Sequence, residues 1–216
     1  MSCQAFEGEP LYGSSYMVAM AKAAQIGGAG GIRANGVTDI QEIKASGSLP
    51  VIGINKTIYE GYEPYITPTM KEAQELVEAG ADIVAIDATA RVHPGGIDSC
   101  ELIRKIKQHL GIPLMADVST LEEALEAEEA GADMVGTTLH GYTAYTKKHA
   151  DDGPAFELLD KMVDRLKVPV MAEGRIWYPD EAAEALRRGA FAVTVGGAIT
   201  RPQLITRRFV ERMHMV

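Results

Sequence analysis

Two short phrases alternate along this chain, and their alternation restricts the fold more than any other feature. The first is an apolar run opened by proline and closed by a polar residue. It reads Leu49-Pro50-Val51-Ile52-Gly53-Ile54-Asn55-Lys56, then Ile112-Pro113-Leu114-Met115-Ala116-Asp117, then Val168-Pro169-Val170-Met171-Ala172-Glu173. Proline is accepted at the first residue of a strand, where no ladder donor is lost. Continuous apolar runs of this length suit strands buried on both faces of a parallel sheet. The second phrase ends a helix, turns at glycine and starts a strand. Its copies are Glu78-Ala79-Gly80-Ala81-Asp82-Ile83 through Asp87, Glu129-Ala130-Gly131-Ala132-Asp133-Met134 through Thr137, and Arg188-Gly189-Ala190-Phe191-Ala192 through Gly196. Glycine takes the left-handed cap position in each. Gln25 to Arg33 is a looser copy, and Ser2 to Ala5 supplies one more run.

The intervening segments carry apolar residues at helical spacing: Met70 to Ala79, Cys100 to Leu110, Leu121 to Ala130, Phe156 to Leu166 and Pro179 to Arg188. Thr120-Leu121-Glu122-Glu123 has the form of a capping box. About eight strands alternating with helices predict one α/β domain over the 216 residues, a (β/α)8 TIM barrel of the phosphate-binding type. The alternative is an open doubly wound sheet, which calls for a glycine-rich loop after its first strand. Phe6-Glu7-Gly8-Glu9-Pro10 is not one.

In a barrel the functional side chains stand at the carboxyl ends of strands. The polar residues closing each run are Gln4, Arg33, Lys56, Asp87, Asp117, Thr137 with Thr138, Glu173 with Arg175, and Gly196 with Gly197. Such a charged set is costly to bury and has little purpose in a core. Glycines follow the last two runs, at Gly174 and at Gly196-Gly197, ahead of Ala198-Ile199-Thr200-Arg201. Glycine amides after strands seven and eight are a recurring phosphate cradle. Gly174, Arg175, Gly196, Gly197 and Arg201 are therefore candidate phosphate ligands, with tight turns as the plainer explanation of the glycines.

Lys56 ends an otherwise apolar strand. Desolvation and neighbouring cations lower a lysine pKa toward neutrality, which suits a proton-abstracting base or a Schiff-base nucleophile. A structural pairing with Asp87 or Asp117 is the alternative. Glu173 is a candidate acid partner for Lys56 and a candidate ion-pair partner for Arg175. The five histidines lack paired spacing at strand ends, so no metal is expected. With two cysteines, Cys3 and Cys100, free thiols and a cytosolic setting are expected, and Cys3 reads as core packing. A net charge of −9 without a basic stripe sets the chain against nucleic acid as a partner. No long apolar run suggests a membrane span, and the start lacks a signal-peptide pattern.

With these residues in place, the sequence resembles the N-acetylmannosamine-6-phosphate 2-epimerase (NanE) family over nearly its whole length. The likeness rests on Ser2-Cys3-Gln4-Ala5, Gly31-Ile32-Arg33-Ala34-Asn35, the run from Pro50 to Lys56, Ile66-Thr67-Pro68-Thr69, Asp87-Ala88-Thr89 and the run from Met115 to Thr120. Val135 to Thr146, Ala172-Glu173-Gly174-Arg175-Ile176 and Val195 to Pro202 complete it. The resemblance implies epimerisation at C2 between N-acetylmannosamine 6-phosphate and N-acetylglucosamine 6-phosphate, a step of bacterial sialic acid breakdown. It implies no cofactor, a homodimer, and a phosphorylated N-acetylated amino sugar as the small-molecule partner. The family's catalytic lysine and glutamate fall on Lys56 and Glu173. Its substrate contacts fall on Gln4, Arg33, Asp117 and Arg201, and Thr138 joins them as a candidate. Two departures stand out: a shorter lead into Ser2, and His93 where the family has a second arginine.

Overall fold

The computed structural model describes residues 1–215. Eight parallel strands run in unbroken sequence order: β1 (Ser2–Cys3), β2 (Ile32–Asn35), β3 (Val51–Ile54), β4 (Ile83–Asp87), β5 (Leu114–Asp117), β6 (Met134–Gly136), β7 (Val170–Glu173) and β8 (Ala192–Thr194). The Ser2 amide donates to the Val195 carbonyl at 2.8 Å, bringing the first strand against the chain leaving the last. That contact and the consecutive order exclude the open doubly wound sheet, whose strand order reverses at a switch point.

The helices between the strands are α1 (Ser14–Ile26), α2 (Val37–Ser46), α3 (Met70–Glu78), α4 (Ser99–Leu110), α5 (Leu121–Ala130), α6 (Phe156–Arg165) and α7 (Pro179–Arg187). A short α8 (Gly197–Thr200) and a final α9 (Pro202–His214) follow β8. The five helices expected from periodicity are present with ends within a residue or so of the apolar pattern. Thr120 and Glu123 form the reciprocal capping box at the start of α5.

The second recurring phrase has a clear physical content. Gly80, Gly131 and Gly189 all take positive φ, the left-handed turn that lets the chain leave a helix and enter a strand. In the first two copies the aspartate two residues on then serves the neighbouring strand, while the third has Phe191 there. Asp82 Oδ2 accepts from the Val51 amide and from Lys44 Nζ, both at 2.7 Å. Asp133 Oδ2 accepts from the Leu114 amide at 2.7 Å and from Lys107 Nζ at 2.6 Å. These pairs pin the amino ends of β3 and β5, the face of a barrel that carries stability rather than chemistry.

The core has two parts. Ile54, Ile66, Ala85, Met115, Leu139 and Met171 fill the barrel, while a larger cluster lies between the strands and the helix ring, with Ile40, Leu76, Leu102, Ile106 and Leu159 among its members. Cys3 is fully buried in that outer layer, and burial pushes its thiol up to about 11. Gly53 marks the tightest helix–strand approach. A Cβ there would lie 2.9 Å from Ala81 Cβ and 3.0 Å from Ile40 Cδ1. Gly53→Ala is therefore expected to overpack the β3 seam and cost about 1–3 kcal/mol. Urea denaturation checks this, with the midpoint falling and the slope unchanged.

Candidate active site

A cavity of about 320 Å³ opens at the carboxyl end of the barrel. It is lined by Gln4, Arg33, Lys56, Thr138, Glu173, Gly174, Arg175, Gly196, Gly197 and Arg201, together with Ser2, Tyr65, Tyr142 and Trp177. Of the strand-end residues expected at the site, Asp87, Asp117 and Thr137 are absent from its lining, and all three are buried.

The lower layer is an ion network of three strands. Arg33 on β2 is 2% exposed, too little for water to satisfy a guanidinium, so protein groups must do so. Its Nη1 donates to Glu173 Oε2 at 2.9 Å and to Asp117 Oδ1 at 3.1 Å, and its Nη2 donates to Asp117 Oδ2. Thr138 Oγ1 also donates to Asp117 Oδ1, at 2.7 Å. Burial opposes the Arg33 charge, but the two carboxylates outweigh it and hold its pKa above the ordinary value. The ion pair expected between Glu173 and Arg175 is not formed. Arg175, at a φ of 55°, turns toward the loop after β6, donating to the Gly153 carbonyl at 2.6 Å and to the His140 carbonyl. Its guanidinium also lies 5.6 Å from the Tyr142 ring.

Lys56 stands just beyond β3. Its amide donates to Asn35 Oδ1 at 3.0 Å, and the chain then folds back through a bridge between Lys56 and Ile66. Nζ donates to a neutral acceptor, Gln4 Oε1, at 2.8 Å. It lies 4.7 Å from the Phe6 ring centre and 5.7 Å from that of Tyr65. The alternative of a structural ion pair with Asp87 or Asp117 fails, because Asp87 is taken by Arg91 and Thr89, and Asp117 by Arg33 and Thr138. Burial, then the charges of Arg33 and Arg201, lower the Lys56 pKa to about 8. Burial pushes Glu173 the other way, up to about 7, with Arg33 opposing and Asp117 adding to the rise. A cavity with a lysine and a glutamate driven toward neutrality from opposite sides is equipped to exchange protons near neutral pH.

On the opposite wall, Gly174 takes a φ of 107°, and Gly196 and Gly197 lead into α8. A Cβ at Gly197 would lie 3.4 Å from Leu204 Cδ1 and 3.5 Å from Trp177, so the backbone passes close to its neighbours there. Arg201, at the joint of α8 and α9, brings a guanidinium to the same rim. No group of three or more histidine, cysteine or carboxylate side chains suited to a metal occurs among the described residues. His93, the noted departure, is fully buried with Nδ1 3.0 Å from the Pro68 carbonyl, and does not line the cavity. Tyr65, Tyr142 and Trp177 escaped the reading of strand ends because they sit in loops that fold back over the mouth. The apolar Tyr65-Ile66 pair soon after Lys56 was the one available signal.

The consecutive parallel strands and the cavity at their carboxyl mouth define a (β/α)8 barrel, and known proteins share that fold. A family model described as "Putative N-acetylmannosamine-6-phosphate epimerase" (NanE) matches residues 17–215, and the chain belongs to that family. A protein of Caldanaerobacter subterraneus subsp. tengcongensis, described as a "Putative N-acetylmannosamine-6-phosphate 2-epimerase", is 56% identical over 97% of this chain and 88% of its own length. A Clostridioides difficile protein with the same description is 50% identical over 100% and 95%. The solved N-acetylmannosamine-6-phosphate 2-epimerase of Clostridium perfringens superposes with a TM-score of 0.93 at 50% identity, covering 97% of this chain and 90% of its own. A thiamine phosphate pyrophosphorylase of Pyrococcus furiosus, 22% identical with a TM-score of 0.59, shares the fold alone.

Proposed function

We propose that this protein interconverts N-acetylmannosamine 6-phosphate and N-acetylglucosamine 6-phosphate by removing and returning the proton on C2. One observation carries this reading beyond family membership. Lys56 Nζ is bonded to an amide oxygen rather than a carboxylate, beside Arg33 and Arg201, and shares its cavity with Glu173. A lysine so placed loses its proton readily, and a glutamate so placed keeps one.

C2 of the ring-opened sugar lies next to the aldehyde carbon, so its proton is removable once charge on the enolate oxygen is stabilised. In this proposal Lys56 takes the proton from one face. Glu173, held by Arg33, serves proton return or ring opening, and Arg33, Asp117, Gln4 and Thr138 position the acetamido and carbonyl groups. Gly174, Gly196, Gly197 and Arg201 hold the phosphate, with Arg175 beside them, and supply orientation energy remote from the reacting carbon. No step calls for a metal. We place the reaction in the cytosol, in amino sugar and sialic acid breakdown. Among the described residues no helix is long and apolar enough to cross a membrane. A homodimer fits the apolar residues that α9 leaves in solvent, with Phe209 68% and Met213 63% exposed.

The deciding assay incubates the protein with N-acetylmannosamine 6-phosphate and a chelator in heavy water and follows C2 by NMR. The expected outcome is N-acetylglucosamine 6-phosphate with deuterium at C2. Trapping of the sugar on Lys56 by borohydride, with no epimer formed, points instead to a Schiff-base lyase. Binding without turnover points to a sensor.

The pH dependence follows from the two shifted groups. A neutral Lys56 with a protonated Glu173 carries the same number of protons as a charged Lys56 with an ionised Glu173. Forward and reverse rates therefore share one bell, with limbs near the values of about 7 and about 8 that belong to Glu173 and Lys56. Measured kcat/KM in both directions from pH 5 to 10 checks this. A profile flat across that interval is incompatible with the pair.

A further inference from the structure

The rim of the cavity carries a contact that the proposed chemistry leaves without a role. Glu9, in the loop between β1 and α1, meets Arg201 with Oε2 3.3 Å from Nη2, both side chains about one-quarter exposed. Among the described residues the Arg201 guanidinium makes no hydrogen bond, and this single long approach is its only ion pair. The contrast with Arg33, which grips Asp117 through both Nη atoms, is plain. The firm bond of the same Glu9 oxygen goes elsewhere, to the Phe6 amide at 2.9 Å, where it closes a tight turn with the Glu9 amide on the Phe6 carbonyl. The Phe6 ring then spans the two cations of the site, 4.7 Å from Lys56 Nζ and 5.1 Å from Arg201 Cζ.

We propose that Glu9 is a placeholder for the substrate phosphate on Arg201, and that the Phe6–Glu9 turn is a latch over Lys56 which phosphate arrival releases. The inference rests on the reading of Arg201 as the phosphate cation. A phosphate monoester carries up to two charges and three strong acceptor oxygens, so it can engage the planar fork in a bidentate manner that a lone 3.3 Å contact cannot match. Carboxylate and phosphate repel one another across the same guanidinium, and the more weakly held carboxylate gives way. Its departure removes the anchor that keeps Phe6 between the two cations, and the covered side of the Lys56 amine opens to the sugar. In the empty state the placeholder lowers the charge of a rim that would otherwise hold two cations side by side.

The protein supplies its own probe, because Trp177 is the single tryptophan and lines the cavity against Gly197. Titration with inorganic phosphate, read by Trp177 fluorescence, compares the unaltered protein with Glu9→Gln, Glu9→Ala and Arg201→Ala. Loss of a competing exposed ion pair is expected to tighten phosphate binding by about fivefold in both Glu9 variants. The KM for the phosphorylated sugar should fall by a similar factor, and the gain should shrink at high salt. Unchanged or weaker phosphate binding in the Glu9 variants, with Arg201→Ala abolishing it, overturns the placeholder and leaves the phosphate site standing. Phosphate binding by Arg201→Ala equal to that of the unaltered protein overturns both.

Discussion

Lys56→Ala is expected to slow epimerisation by about three orders of magnitude while the fold and phosphate binding persist. The loss follows from the position of the amine. Lys56 is the only lysine among the residues lining the cavity, and its amine bonds a neutral acceptor, so it gives up its proton more readily than the arginines beside it. The same substitution carries an opposite effect on stability, which separates a catalytic lysine from a structural one. Its folded pKa of about 8 lies below the ordinary 10.5, so between those values the unfolded chain binds the extra proton. Stability contributed at this site therefore rises with pH across that interval, and the full penalty is present below about 8. Lys56→Met, which keeps the packing of the stem, should be more stable than the unaltered protein at pH 7, and the difference should vanish above about pH 10.5. Thermal melts at pH 7 and pH 10.5, beside an activity assay, read both effects. A variant that is inactive and also less stable at pH 7 would mark Lys56 as structural.

Arg33→Met is the change expected to do most harm to the molecule as a whole. Among the described residues it removes the one cation bonded to both Asp117 and Glu173, leaving a fully buried and a largely buried carboxylate without their charged partner. Breaking a buried pair from one side costs about 3–5 kcal/mol, because the abandoned charge stays desolvated. For a chain of this length that is a drop of about 10 °C in Tm. Arg33 also lowers the pKa of both Lys56 and Glu173. Both limbs of the pH profile should accordingly move to higher pH in whatever Arg33→Met protein folds. Arg33→Lys keeps the charge and loses the planar fork that spans two carboxylates, so kcat should fall while the limbs stay near their places. Limbs that fail to move in Arg33→Met would show that this guanidinium does not set the protonation of the pair.

Particular residues show what was readable before any coordinates. Proline-led apolar runs and Ala-Gly-Ala turns follow from rules that act within a few residues of chain. They were enough to place eight strands and to propose the barrel. The strand-end rule then named Gln4, Arg33, Lys56, Asp117, Thr138 and Glu173, and the glycines after the last two strands led to Arg201, while Glu9, Tyr65, Tyr142 and Trp177 escaped it. Local rules do not say who pairs with whom. Glu173 meets an arginine 140 residues away rather than the one two places on, because an inward-facing strand residue finds its partner across the barrel. Arg175, in a left-handed turn, is carried to the loop after β6 instead.

What the sequence alone determined is therefore the periodicity, hence the elements, the barrel and the ring of candidate side chains at one end. Only the tertiary structure decided that Lys56 would face Gln4, 52 residues earlier in the chain, and that Arg33 would be shared by two carboxylates. It alone brought the Lys56 and Glu173 pKa values toward each other. The reason is physical: helix and strand patterns are set by neighbours along the backbone, whereas desolvation and Coulomb interaction depend on distances through space that exist only once the barrel has closed.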